Sequence, residues 1–119
     1  MTGARAPNTF IESDRIEGTP VYSGEGQQIG KIKRLIIDKT SGRVAYIVIT
    51  LQSLDMNDVP YVIPWARLSY DKNNGVYRTE ITEAQLRSGP AATQLDWANP
   101  EAIESLEAFF RIPHGWRAV

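Results

Sequence analysis

The sequence predicts a mainly β fold: a small, sharply curved barrel, a short helix after its last strand, and a C-terminal helical extension. Three observations predict it. From Ile16 to Ile81 the apolar residues come in short runs parted by Gly, Asp, Asn and Pro, with no long stretch at the helical period. The run Arg43 to Leu51 is apolar on both parities, as in a strand covered on both faces. After Pro90 the pattern changes, and Ile103, Leu106, Phe109 and Phe110 recur at helical spacing.

Residues 1–12 are expected to form a mobile tail, since Met1 to Thr9 are mostly small and polar and lack the apolar core of a secretory signal. Residues 13–90 are expected to hold the barrel and residues 91–119 the extension, packed on the barrel or on a partner subunit. A first strand is expected around Pro20 to Tyr22, with a turn at Ser23-Gly24-Glu25-Gly26. Ile29 to Asp38 reads as a long strand with conflicting parity. Ile29, Leu35 and Ile37 fall on one side and Ile32 and Ile36 on the other, which a bulge near Lys33-Arg34 reconciles. Asp38 to Gly42 reads as a hairpin loop with Gly42 in a left-handed position, and Arg43 to Leu51 as the returning strand.

The Asp- and Asn-rich stretch Leu54 to Val59 reads as a loop before the short apolar strand Tyr61 to Trp65. Asp71 to Gly75 is a second turn, and Val76 to Ile81 the last strand. Thr82 is placed to cap a short helix ending near Gly89-Pro90. In the extension, Asn99 caps and Pro100 opens an amphipathic helix.

Thirteen basic and fourteen acidic residues leave a net charge of −1, so no global field draws the chain to nucleic acid or to an anionic membrane. No apolar run approaches the roughly 20 residues a membrane helix needs. The chain has no cysteine, which removes disulfides and thiol chemistry and fits a reducing, cytoplasmic setting.

Several segments together resemble the PRC-barrel family. These are Gly18-Thr19-Pro20-Val21-Tyr22, Gln28-Ile29-Gly30-Lys31-Ile32 and Ile37 to Tyr46 with its Gly42-Arg43-Val44-Ala45-Tyr46 core, followed by Tyr61-Val62-Ile63-Pro64-Trp65-Ala66-Arg67-Leu68. The stretch Asn73 to Gln85 resembles the family's closing hairpin and helix, so the likeness spans Ser13 to Pro90. Asp96-Trp97 and Ile112-Pro113-His114-Gly115-Trp116 are similar to extensions of stand-alone bacterial members. The resemblance implies a small barrel used for binding, as in the cytoplasmic part of the photosynthetic reaction-centre H subunit and the C-terminal part of a ribosome maturation factor. Those roles share no chemistry, so no ligand residue is carried over.

The candidate sites are few. His114 is the only histidine, and with no cysteine the chain offers no nucleophile motif, so no enzyme activity, catalytic residue, metal or cofactor is expected. Asp71-Lys72-Asn73-Asn74-Gly75 begins like a calcium loop, but Val76 and Thr82 stand where the loop needs Gly and Glu. Gly24, Gly26 and Gly30 are mis-spaced for a dinucleotide fingerprint. Asp55 and Asp58 read as a solvated loop, and Trp65 as core. Lys31, Lys33, Arg34 and Arg43 are candidates for one basic patch on a hairpin, which makes an RNA-processing or ribosome-associated factor the second hypothesis. Tyr46, Trp97, Leu106, Phe109, Phe110 and Trp116 are candidates for a protein interface.

The leading expectation is a self-associating interaction module, most simply a two-fold dimer that covers the second apolar face of Arg43 to Leu51. A monomer wrapped by its own tail, and a small-ligand carrier, are the rivals.

Overall fold

The computed structural model describes residues 10–23, 26–51 and 60–111. The expected Met1–Thr9 segment, the Leu54–Val59 loop with Asp55 and Asp58, and His114 and Trp116 lie outside the described residues. Six strands form one sheet: β1 Pro20–Ser23, β2 Gln28–Ile37, β3 Val44–Leu51, β4 Pro60–Pro64, β5 Ser69–Asp71 and β6 Val76–Thr79. Their order is β4-β3-β2-β1-β6-β5, and every pairing is antiparallel except the parallel β1–β6 pair. Among the described residues three α-helices accompany it: α1 Ser13–Ile16, α2 Glu83–Arg87 and α3 Pro100–Phe109.

The long ribbon β2–β3 carries the bulge that its parity conflict demands. Ile32 lies opposite Ile49 and Arg34 opposite Val48, so Lys33 is the extra residue. Gly42 takes φ +77° at the end of the loop, in the region that disfavours a side chain. Asp38 organises that loop, its carboxylate accepting hydrogen bonds from the amides of Thr40 at 2.9 Å and Ser41 at 3.3 Å. At the other end of the ribbon Gly30 lies opposite Leu51, where a Cβ would collide with the Thr50 carbonyl oxygen.

The ladder does not close into a complete barrel, because β4 and β5 both remain edges. Pro60 and Pro64 deprive β4 of two amide donors, and Ala91 bridges Tyr61 on its outer side. The sheet nevertheless curls. Five flat inter-strand gaps would separate β4 from β5 by about 24 Å, yet the chain from Pro64 to Ser69 can span at most about 18 Å. A 3₁₀ turn, Trp65–Arg67, makes that connection. The Trp65 ring lies 5.5 Å from Tyr77 of β6, and Tyr77 lies 5.0 Å from Tyr70 of β5. Aromatic contact thus bridges the seam where backbone pairing is missing.

Both faces of β3 are buried, as its sequence requires. Ala45, Ile47, Ile49 and Leu51 share one face with Ile32, Leu35 and Ile63, while Tyr46 and Val48 share the other with Val62 and Pro64. The second face receives the extension: Trp97 packs on Tyr46 with ring centroids 5.5 Å apart. Asn99 caps α3 by accepting the Glu101 amide at 3.0 Å, and Ile103, Leu106 and Phe110 turn inward into burial. A bond from Arg67 Nη2 to the Phe110 carbonyl at 2.7 Å ties the end of α3 to the turn after β4. Helix α2 starts with a complete capping box between Thr82 and Gln85.

Of the residues expected at an interface, Tyr46, Leu106 and Phe110 are 0%, 0% and 8% exposed and lie in the core of this chain. The second face of β3 meets Trp97 of the same chain at Tyr46.

Candidate functional site

One candidate binding surface lies at the loop end of the β2–β3 ribbon. Two hollows flank that end. One, of about 350 Å³, is lined by Val44, Ala45, Trp65 and Ala66, with Asp38, Ser41 and Arg43 at its polar side. The other, of about 270 Å³, runs between the ribbon end and the start of the extension, with Ile37, Lys39 and Thr40 on one bank and Tyr46, Trp97 and Ile103 on the other. Asp38 and Ala45 contribute to both, so one narrow ribbon separates an indole on each side.

Ile37 ends β2 with 51% of its surface exposed, which is unusual for a β-branched residue beside so much buried surface. On its far side Leu35 and Arg34 meet Ser13, Asp14 and Glu17 of the α1 region around a further hollow of about 270 Å³. Trp97 is half-buried, and Phe109 is 39% exposed. Of the six expected interface residues, only Trp97 and Phe109 therefore offer surface among the described residues, and Phe109 lies beside a separate hollow with Arg67, Gln85 and Arg111.

The four basic residues are exposed and strung along the ribbon. Lys31 lies opposite Thr50, whereas Arg43 stands beyond the Ile37–Val44 pair at the loop end. At about 3.3 Å per residue, roughly 20 Å separates the two ends of this row. Lys33 sits in the bulge between them and Arg34 opposite Val48.

The sequence does not single out Ile37, which shares its parity with Ile29 and Leu35; it is the last residue of β2, at a register shift against β3, and is exposed there. Trp65, expected in the core, is half-buried and serves both the seam and the first hollow. The Asp71 turn is structural: its carboxylate accepts from Asn74 Nδ2 at 2.8 Å, Arg78 Nε at 2.9 Å and the Asn73 amide at 3.1 Å. The Asn74 side chain, then Arg78, holds its pKa down at about 2. Burial, with Tyr70 beside it, pushes the Tyr77 phenol upward.

No helix among the described residues is long and apolar enough to cross a membrane. A search of curated proteins finds no match to the chain. The family model of the PRC-barrel domain matches residues 8–86, a span that contains all six strands, α1 and the bulged ribbon and stops within α2. On that match, covering about two-thirds of its length, the chain belongs to the PRC-barrel domain family.

Proposed function

We propose that this PRC-barrel protein is a non-enzymatic, cytoplasmic interaction module that binds protein at the loop end of the β2–β3 ribbon and associates with itself there. The observation that carries the reading is the exposed Ile37, which lines the Trp97 hollow and ends β2 next to Asp38 of the Trp65 hollow, on a ribbon whose other apolar residues are buried or half-buried. Half-buried indoles beside apolar hollows are the features that supply most binding energy in protein interfaces. The absence of cysteine and the single histidine support a binding rather than a catalytic role.

Light scattering over a dilution series tests this. The mean mass should rise from monomer toward dimer with concentration, and Ile37→Asp should hold it at monomer without lowering the melting temperature. An Ile37→Asp protein that associates like the parent would remove the ribbon end as the site.

A second reading, a small-ligand carrier, is favoured by the Trp65 hollow alone, whose volume falls near the lower limit for small-molecule sites. Stabilisation by a small apolar acid, lost on Trp65→Ala, would support it.

A further inference from the structure

The turn between β5 and β6 joins Asn74 to Gly75, and both are exposed. Gly75 takes φ +65° with open space around it, so no side chain shields its amide nitrogen. That nitrogen can displace the side-chain amide of Asn74. The bond from Gly75 N to Asn74 Cγ forms, the Cγ–Nδ2 bond breaks, and Nδ2 leaves as ammonia with the proton that the Gly75 amide gives up. Water then opens the cyclic imide and leaves a carboxylate at position 74, on the normal or the β-linked backbone. In the folded chain one residue holds both reacting groups. The Gly75 amide donates to the Asp71 carbonyl at 2.8 Å, and Asn74 Nδ2 donates to the Asp71 carboxylate at 2.8 Å. Arg78 Nε, on β6, fixes that carboxylate at 2.9 Å.

We propose that Asn74 is a deamidation site held shut by Asp71, converted only when the β5–β6 turn opens, and that its conversion weakens the hairpin. The reaction needs Asn74 Cγ at near-attack distance from the Gly75 nitrogen, and it needs the Gly75 proton released. The first requirement breaks the bond from Nδ2 to a carboxylate, a charge-assisted hydrogen bond. The second removes the donor to the Asp71 carbonyl. The ionised carboxylate also opposes the negative charge that gathers on the attacking nitrogen. The product cannot restore what is lost. A carboxylate at position 74 accepts and does not donate, and it faces Asp71, so two like charges replace a hydrogen bond. Strand β5 has only three residues, and its pairing with β6 carries the Tyr70–Tyr77 contact of the seam. The modification therefore acts on the seam and keeps an irreversible record of each opening. It lies on elements other than the β2–β3 ribbon, so it stands or falls independently of the binding reading above.

Peptide mapping by mass spectrometry, on full-length protein incubated at neutral pH, follows conversion at position 74 with time. The folded protein should convert at least about tenfold more slowly than the same chain in urea. Asp71→Asn, which removes the charged acceptor, should convert at least about tenfold faster than the parent, the factor expected for losing one hydrogen bond to a charged group. Leu106→Ala lowers stability far from the turn and should keep the slow rate, which separates the local lock from global unfolding. Asn74→Asp stands in for the product on the normal backbone and should lower the urea midpoint. Equal rates in the folded protein and in urea, or an Asp71→Asn protein no faster than the parent, would overturn the lock. Equal acceleration by Leu106→Ala and Asp71→Asn would overturn it too, by assigning the conversion to global unfolding. An unchanged midpoint for Asn74→Asp would overturn the effect on the hairpin.

Discussion

Leu106→Ala is the sharpest test of whether the extension belongs to the core of the fold. Leu106 is fully buried, with Ile103 and Phe110 at 7% and 8% exposure beside it on the same helix face. Truncation to alanine removes three carbons, worth about 0.8 kcal/mol each in transfer free energy, or roughly 2.4 kcal/mol. The unfilled space adds to this, so a total of about 2–5 kcal/mol is expected. Alanine is the better helix former, so the loss cannot be charged to α3 itself. Set against the 5–15 kcal/mol stability typical of such a domain, the change is large. The control is the adjacent, exposed Ser105→Ala, which should stay within about 0.5 kcal/mol. Urea unfolding followed by circular dichroism reads both, and equal slopes would license the comparison. If Leu106→Ala shifted the midpoint no more than Ser105→Ala, the extension would be a loose arm and the account of β3 as covered within the chain would fail.

Other substitutions probe the sheet and its turns. Gly30→Ala would drive a methyl group into the Thr50 carbonyl, so the β2–β3 register must give way, at a cost of about 1–3 kcal/mol in urea unfolding; a neutral outcome would contradict the close approach. Asp71 is held at about 2, below its ordinary 3.8. Its ionised form therefore stabilises the folded chain above pH 4, and that contribution fades as pH falls from about 4 through about 2. Asp71→Asn should remove this part of the acid dependence, and superimposable pH profiles for the two proteins would refute the assignment.

Much of the fold was legible because its signals are local. The parity break between Ile32 and Leu35 marks the Lys33 bulge, Gly42 marks the left-handed turn, and Thr82 and Asn99 mark the two helix starts where the structure has them. What escaped the sequence is set by distant partners. Strand β5 has three residues, too few for a periodic pattern, and exists because Tyr70 and its neighbours pair with β6. The site was only partly legible for the same reason. Trp97 could be singled out by type, but apolar residues such as Tyr46 and Leu106 look alike whether their cover comes from the same chain or another. Ile37 is exposed because it ends β2, past the elements that cover Ile29 and Ile32, and the distance between Lys31 and Arg43 follows from pairing, which composition does not record.

The parallel pairing of β1 with β6 also sets a timetable for folding. The ribbon β2–β3 joins neighbours across a short loop, whereas Val21 meets Tyr77 across more than fifty residues. Loop-closure entropy must be met before such a contact is formed. During synthesis at about 5–20 residues per second, β1 leaves the ribosome roughly 3–10 s ahead of its partner. Over that interval β1 can pair with β2 alone, its other edge open to strangers. Completion of β6 is then the step that covers the open edge of β1, and the nascent chain is most vulnerable to mispairing there just before it.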